Sequence, residues 1–199
     1  MNRASAWMQA VRPKTLTAAA APVLVGAGLA ESHGVFALFP VLAAFAGALL
    51  IQIGTNLAND YYDFVRGADA ADRVGPVRVT QAGLIPPTQV WWGMVVVLDA
   101  AASVGVYLVI VGGWPIVWIG TASLVCAVAY TGGPYPLAYH GLGDPFVFVF
   151  FGLVAVGGTY WVQALAAPGD VLLAGVGIGA LSTAILVANN LRDLETDGS

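Results

Sequence analysis

Asn59 and Asp63 stand four residues apart, with Asp60 beside them, in the stretch NLANDYYDFVRGAD at 56–69. Near the other end, in ILVANNLRDLETD at 185–197, Asn189, Asp193 and Asp197 repeat the four-residue spacing, with Asn190 alongside. In a helix, positions i, i+4 and i+8 share one face, so each stretch presents a stripe of side-chain oxygens. Crowded carboxylates repel one another unless a cation sits between them. No His or Cys joins either cluster, and an all-oxygen donor set points to Mg²⁺. Mg²⁺ is usually held by one or two carboxylates together with substrate phosphates. Two such stripes therefore suit a diphosphate bridged by metal ions, with Asn59, Asp60, Asp63, Asp193 and Asp197 as metal ligands. A solvated helix end accounts for either cluster alone, but not for the same register twice.

The loop between the clusters supplies the opposite charge. DRVGPVRVTQAGLIPP at 72–87 carries Arg73 and Arg78 among glycines. The planar guanidinium matches phosphate oxygens through paired donors. Lys14, next to Arg12 at the start of the first apolar run, is placed to add a further donor. A second loop, YTGGPYPLAYHGLGD at 130–144, is rich in Tyr, Gly and Pro and contains Asp144. Tyr62, Tyr130 and Tyr139 are candidates to face a cationic centre through their rings, with Asp144 near them. Interfacial tyrosines also serve as membrane-belt residues.

The elements that carry these groups are membrane spans. The chain has 199 residues, 59% of them hydrophobic and 9% charged, against about 25% charged in a soluble domain. Several uncharged runs reach bilayer length, and they lack the alternation of a membrane β-barrel. The expected fold is an all-α polytopic transmembrane bundle. Six spans are expected, at 15–31, 35–58, 88–111, 115–131, 145–166 and 171–190, within a single domain over 1–199. Arg3, Arg12 and Lys14 ahead of an apolar run resemble the start of a signal peptide. They lie far in, however, and Arg12-Pro13-Lys14-Thr15 reads better as the lead-in to a first span.

With six spans, all seven basic residues (Arg3, Arg12, Lys14, Arg66, Arg73, Arg78 and Arg192) fall on one side. The positive-inside rule places that side in the cytoplasm. The expected location is the cell (inner) membrane, with the N-terminus and the polar loops cytoplasmic and the bilayer as one partner. No nucleic-acid partner is expected. Eight of the eleven acids share the basic side, which the rule does not require. A polar centre of both signs accounts for it. The one cysteine, Cys126, lies in an apolar span and reads as packing. Asp99 lies mid-span, where an unpaired acid costs about 2.5–3.5 kcal/mol on insertion scales.

The two Asp-rich stretches together resemble the UbiA superfamily of membrane prenyltransferases. VRPKT at 11–15, QIGTNLANDYYDFVRGAD at 52–69 and RVGPVRVTQAGLI at 73–85 are most similar to its 1,4-dihydroxy-2-naphthoate polyprenyltransferase branch. The resemblance covers essentially the whole chain. It implies a nine-span helical fold with a cavity opening sideways into lipid, of which about six spans lie within these residues and about three beyond them. It also implies Mg²⁺-dependent transfer of a polyprenyl group from its diphosphate to 1,4-dihydroxy-2-naphthoate, giving demethylmenaquinone with loss of CO2 and diphosphate. Asn59, Asp60, Asp63 and Asp193 are the implied catalytic groups. Gly67 stands where many members of the superfamily have another Asp, leaving Asp69 as a partial replacement.

Three other readings remain open. A related enzyme of the superfamily would take 4-hydroxybenzoate or homogentisate. A CDP-alcohol phosphotransferase also uses Asp at i and i+4, but in one contiguous motif. A divalent-cation transporter needs polar residues deep along a path, whereas these spans are dry apart from Asp99.

Overall fold

Arg12 adopts the left-handed conformation, with φ at 53°, and Pro13 follows it. That pair ends one helix and starts another, because proline has no N–H to lose at a first helical position. The computed structural model describes residues 2–67 and 77–197, with side chains through Leu191. Helix α1 (Arg3–Val11) is capped by the Asn2 side chain, which accepts from the Ser5 N–H. Helix α2 runs Pro13–Ser32 and α3 runs Leu38–Arg66. After the loop come α4 (Pro87–Gly112) and α5 (Trp114–Ala129), separated by the turn at Gly113. A short 3₁₀ turn, Ala138–His140, precedes α6 (Gly143–Ala164), and α7 (Gly169–Asp197) follows.

All the described elements are helical, as the sequence predicts. Helices α2, α3, α4, α6 and α7 are long and apolar enough to cross a membrane, which makes this a multi-pass membrane protein. The predicted fourth span corresponds to α5, a shorter apolar helix of 16 residues. Large apolar side chains such as Phe39, Trp92, Ile110, Trp118 and Leu173 are exposed on the outside of the bundle. That surface suits lipid rather than water.

Helix α3 has 29 residues, a length of about 43 Å at 1.5 Å per residue, well beyond a hydrocarbon core of about 30 Å. The predicted span ended at 58, but the helix continues to Arg66, so NDYYDFVR forms its polar extension. Gly67 ends it in the left-handed conformation, its N–H returning to the carbonyls of Asp63 and Phe64. A Cβ would strain this cap. The residue that breaks the Asp pattern is therefore the helix stop.

Small residues let α6 and α7 approach closely. A Cβ on Gly152 would fall 2.4 Å from the Gly175 carbonyl oxygen. Such contacts hold helices together where lipid offers no hydrophobic contrast. Gly152 sits in a π-helical segment of α6, Phe148–Val154. The last turns of α6 then tie three other helix ends. Tyr160 bonds His33 at 2.8 Å, the Gln163 side-chain oxygen accepts from the Ala37 N–H at 3.0 Å, and Trp161 donates to the Gly112 carbonyl at 2.9 Å. His33 also reaches Asp170 at 3.0 Å, so it is a structural tie, away from the predicted site. Asp99 is exposed on α4, with no polar partner among the described residues.

Candidate active site

The polar extension of α3 sorts its side chains by helical angle. Successive residues turn by about 100°, so neighbouring positions serve different surroundings. Asn59 lines a central cavity of about 600 Å³. Asp63, one turn further along, is 5% exposed. Its carboxylate pairs with the Arg78 guanidinium and accepts from the Tyr139 hydroxyl at 2.5 Å. Thus two loops far apart in sequence close on one carboxylate.

Asp60 points elsewhere. It is fully buried, and its two oxygens accept the backbone N–H groups of Val79 at 3.0 Å and Thr80 at 2.9 Å. It does not line the cavity. Expected to ligate a metal, Asp60 instead has loop backbone amides as its partners. Val79 and Ile85 bury their side chains beside Leu57, Ala58, Val90 and Met94, so the loop after residue 77 is seated in the core.

Tyr130 lines the cavity with Asn59. Thr131, next in the chain and 4% exposed, donates to the Asn59 side-chain oxygen at 2.9 Å. Burial first, then the negative charges of Asp144 and Asp63, raise the Tyr130 pKa above the ordinary tyrosine value. Tyr139 is shifted upward too, first by burial and then by its hydrogen bond to Asp63. Both therefore stay protonated at neutral pH. Tyr62 packs in the core against Gly132, where a Cβ would lie 2.7 Å from its ring. Asp144 lies in the first turn of α6. The Arg66 guanidinium donates to the Gly133 carbonyl and lies 5.7 Å from the Tyr139 ring centroid, clasping the same loop.

The predicted groups thus divide. Asn59 and Tyr130 line the cavity, while Asp63, Arg78 and Tyr139 meet one another one helical turn beyond Asn59. Lys14 sits exposed in the first turn of α2. Arg73 and Asp69 lie outside the described residues. Asp193 and Asp197 belong to the last turns of α7, and their side chains are likewise outside the described residues. No cluster of three metal-ligating His, Cys, Asp or Glu occurs among the described residues.

Three participants escaped the sequence reading. Asn56, 2% exposed, donates to the Val11 carbonyl at 2.9 Å and the Thr15 hydroxyl at 2.8 Å, and Gln52 donates to it at 3.3 Å. Thr131 orients Asn59. Arg66 had counted only as a basic residue. The spacing Gln52, Asn56, Asp60 is itself an i, i+4, i+8 polar series, and it was the available signal for Asn56.

The sequence profile of the UbiA prenyltransferase family matches residues 19–199. The chain is 37% identical over 200 residues to the 1,4-dihydroxy-2-naphthoate octaprenyltransferase of Haemophilus influenzae, an alignment covering 96% of this chain and 65% of that one. It is 42% identical over 191 residues to the Mycobacterium tuberculosis protein of the same name, again covering 96% and 65%. With the Escherichia coli protein of that name it shares 38% identity over 205 residues, covering 99% and 66%. The chain therefore spans just under two thirds of the length of these curated relatives. A profile match over most of the chain, on a helical bundle with an Asn-Asp helix end at the mouth of an apolar cavity, shows that this chain belongs to the UbiA prenyltransferase family.

Proposed function

We propose that residues 1–199 carry, as one transmembrane unit, the diphosphate-binding end and much of the tail cavity of a prenyltransferase. The enzyme transfers a polyprenyl group from its diphosphate to 1,4-dihydroxy-2-naphthoate. One observation carries this reading: an apolar cavity between α2, α3, α4, α5 and α6 whose polar end is Asn59 and Tyr130, one helical turn from the Asp63–Arg78 pair. The apolar length suits an isoprenoid, and the charged pair one turn beyond its polar end suits the diphosphate. The names of the three relatives support the naphthoate acceptor. The multi-pass bundle supports a membrane location, and the one-sided basic residues support cytoplasmic loops at the site.

The donor set fits a hard cation. Asp63 is a nearly buried carboxylate that already binds a positive group, and Asn59 presents an amide oxygen beside the cavity. Asn59, Asp63, Asp193 and Asp197 would hold Mg²⁺, which supplies Lewis-acid neutralisation of the charge that develops on the departing diphosphate. Arg78 is placed to donate to phosphate oxygens, and Arg73 and Lys14 join it in this assignment. The allylic C–O bond breaks, and the ring carbon forms the new C–C bond. The ring carboxylate leaves as CO2, so the product is released at the quinol level. Tyr130, in the cavity wall, is the ring assigned to stabilise the allylic carbon as that carbon gains positive charge.

A cation transporter is the reading from a different class. No charged side chain lines the cavity among the described residues, which disfavours it. Mass analysis of the products formed from prenyl diphosphates and the naphthoate, 4-hydroxybenzoate or homogentisate acceptors tests the proposal. The expected result is a prenylated, decarboxylated naphthalenediol that requires Mg²⁺ and is abolished by Asp63→Asn. Full turnover by Asp63→Asn and by Asp193→Asn would sink the assignment.

A further inference from the structure

Asp60 sits between Asn59, which lines the cavity, and Asp63, which meets the Arg78 and Tyr139 side chains, yet nothing about its own surroundings resembles an open ligand position. It is fully buried. Each carboxylate oxygen accepts a backbone N–H, from Val79 and from Thr80. Hydrogen bonds to an ionised acceptor are among the stronger ones, and two of them offset the desolvation of a buried carboxylate. The segment they hold is built to stay in place. The Val79 carbonyl accepts from the N–H groups of Leu84 and Ile85, the Arg78 carbonyl from Ala82, and the Thr80 carbonyl from Gly83. Val79 and Ile85 are in the core. For Asp60 to turn towards the cavity, its two hydrogen bonds from backbone amides would have to break and a core segment would have to lift.

We propose that Asp60 is a positioning residue and not a metal ligand: it pins the Val79–Thr80 backbone to α3 and thereby sets the Arg78 guanidinium against Asp63. Arg78 is the residue immediately before the two pinned amides, and Asp63 is one helical turn beyond Asp60. The pin therefore fixes the distance between the cation that meets the diphosphate and the carboxylate that meets the metal. The neighbouring acids of one motif have separate tasks, Asp63 towards the ligand and Asp60 towards the loop that closes on it. This inference rests on the diphosphate reading for its functional meaning, while the anchoring itself is a property of the unliganded protein.

Hydrogen–deuterium exchange of residues 77–86 in nanodiscs tests it on the unmodified protein. Without metal, the Val79 and Thr80 amides are expected to be protected. They are expected to remain so when Mg²⁺ and inorganic diphosphate are added. Release of these two amides by Mg²⁺ and diphosphate would overturn the proposal, because the carboxylate would have left them for the metal. Asp60→Asn gives the second arm, since an amide retains one acceptor but turns a donor towards the other N–H. Exchange at 79 and 80 is expected to rise by about tenfold or more in the metal-free variant. Its half-saturation by Mn²⁺ in the presence of inorganic diphosphate, read by electron paramagnetic resonance, is expected to stay within about threefold of the unmodified protein. Asp63→Asn is expected to show the reverse, weakened Mn²⁺ binding with the two amides still protected. A loss of Mn²⁺ affinity of about tenfold or more in Asp60→Asn, with unchanged exchange, overturns the assignment. If Asp60→Asn does not fold, the exchange of the unmodified protein decides. If the unmodified protein binds no Mn²⁺ with diphosphate, the diphosphate reading fails, and the exchange arms still decide whether Asp60 holds the loop.

Discussion

The Tyr139 hydroxyl donates to Asp63 Oδ1 at 2.5 Å, across 76 residues of sequence. It joins the loop after α5 to the last turn of α3, on the same carboxylate that Arg78 binds. Tyr139→Phe removes the donor and leaves the ring. A hydrogen bond to a charged group contributes about 1.5–3 kcal/mol, and this one helps hold an otherwise half-exposed loop. Limited proteolysis between 130 and 142 is expected to accelerate by about tenfold or more, with the helical content unchanged. Equal cleavage rates would show that the remaining ties, Arg66 to Gly133 and Thr131 to Asn59, suffice to hold the loop.

Asn56 joins α3 to the junction of α1 and α2 through Val11 and Thr15. Asn56→Leu leaves a buried carbonyl and a hydroxyl without their donor, at about 1–3 kcal/mol each. The melting temperature is expected to fall by about 4–24 °C, taking about 2–4 °C per kcal/mol for a chain of this size. An unchanged melting temperature would mean that the left-handed Arg12 turn is held by other contacts.

Gly105 lines the cavity, and a Cβ there meets nothing within 4 Å. Gly105→Phe is therefore expected to fold and to fill part of the cavity. With a series of prenyl diphosphates, the longest donors are expected to lose at least about tenfold in kcat/KM while the shortest are little changed. A uniform loss across the series would place the tail elsewhere.

Gly152 has no such room, because a Cβ would meet the Gly175 carbonyl and the Gly179 backbone at 2.4–2.9 Å. Gly152→Ala forces α6 and α7 apart, and overpacking of this kind costs about 1–3 kcal/mol. Thermal unfolding in detergent is expected to shift down by about 2–12 °C.

Asp99 is exposed in the middle of the membrane-spanning helix α4. Replacing it by Leu removes the mid-span charge, and insertion of 87–112 in a glycosylation-based assay is expected to improve by about 2–4 kcal/mol. No gain would mean that Asp99 meets a polar partner during insertion.

Much of this was legible in the one-dimensional pattern. Long uncharged runs dictate helices, because a backbone in lipid must satisfy its own hydrogen bonds. The four-residue spacing of Asn59 and Asp63 placed both on one helical face; in the structure Asn59 lines the cavity and Asp63, one turn on, pairs with Arg78. Arg78 and Tyr139 were candidates by chemistry alone. Only the folded chain decided their partners. Which acid an arginine meets depends on how two loops seat on a helix, and local spacing carries no information about that. The same limit applies to Asp60. Its type and position made it indistinguishable from Asp63, and a difference of three residues along α3 gave it backbone amides as partners where Asp63 meets the Arg78 and Tyr139 side chains. Gly67, a gap in a pattern of acids when read as sequence, became a helix stop once its positive φ was seen. The sequence by itself determined that a charged centre sits at the ends of membrane helices, because hydrophobic length and charge are additive along a chain. The tertiary structure decided which charge holds which, because hydrogen-bond geometry is set by packing between segments distant in sequence.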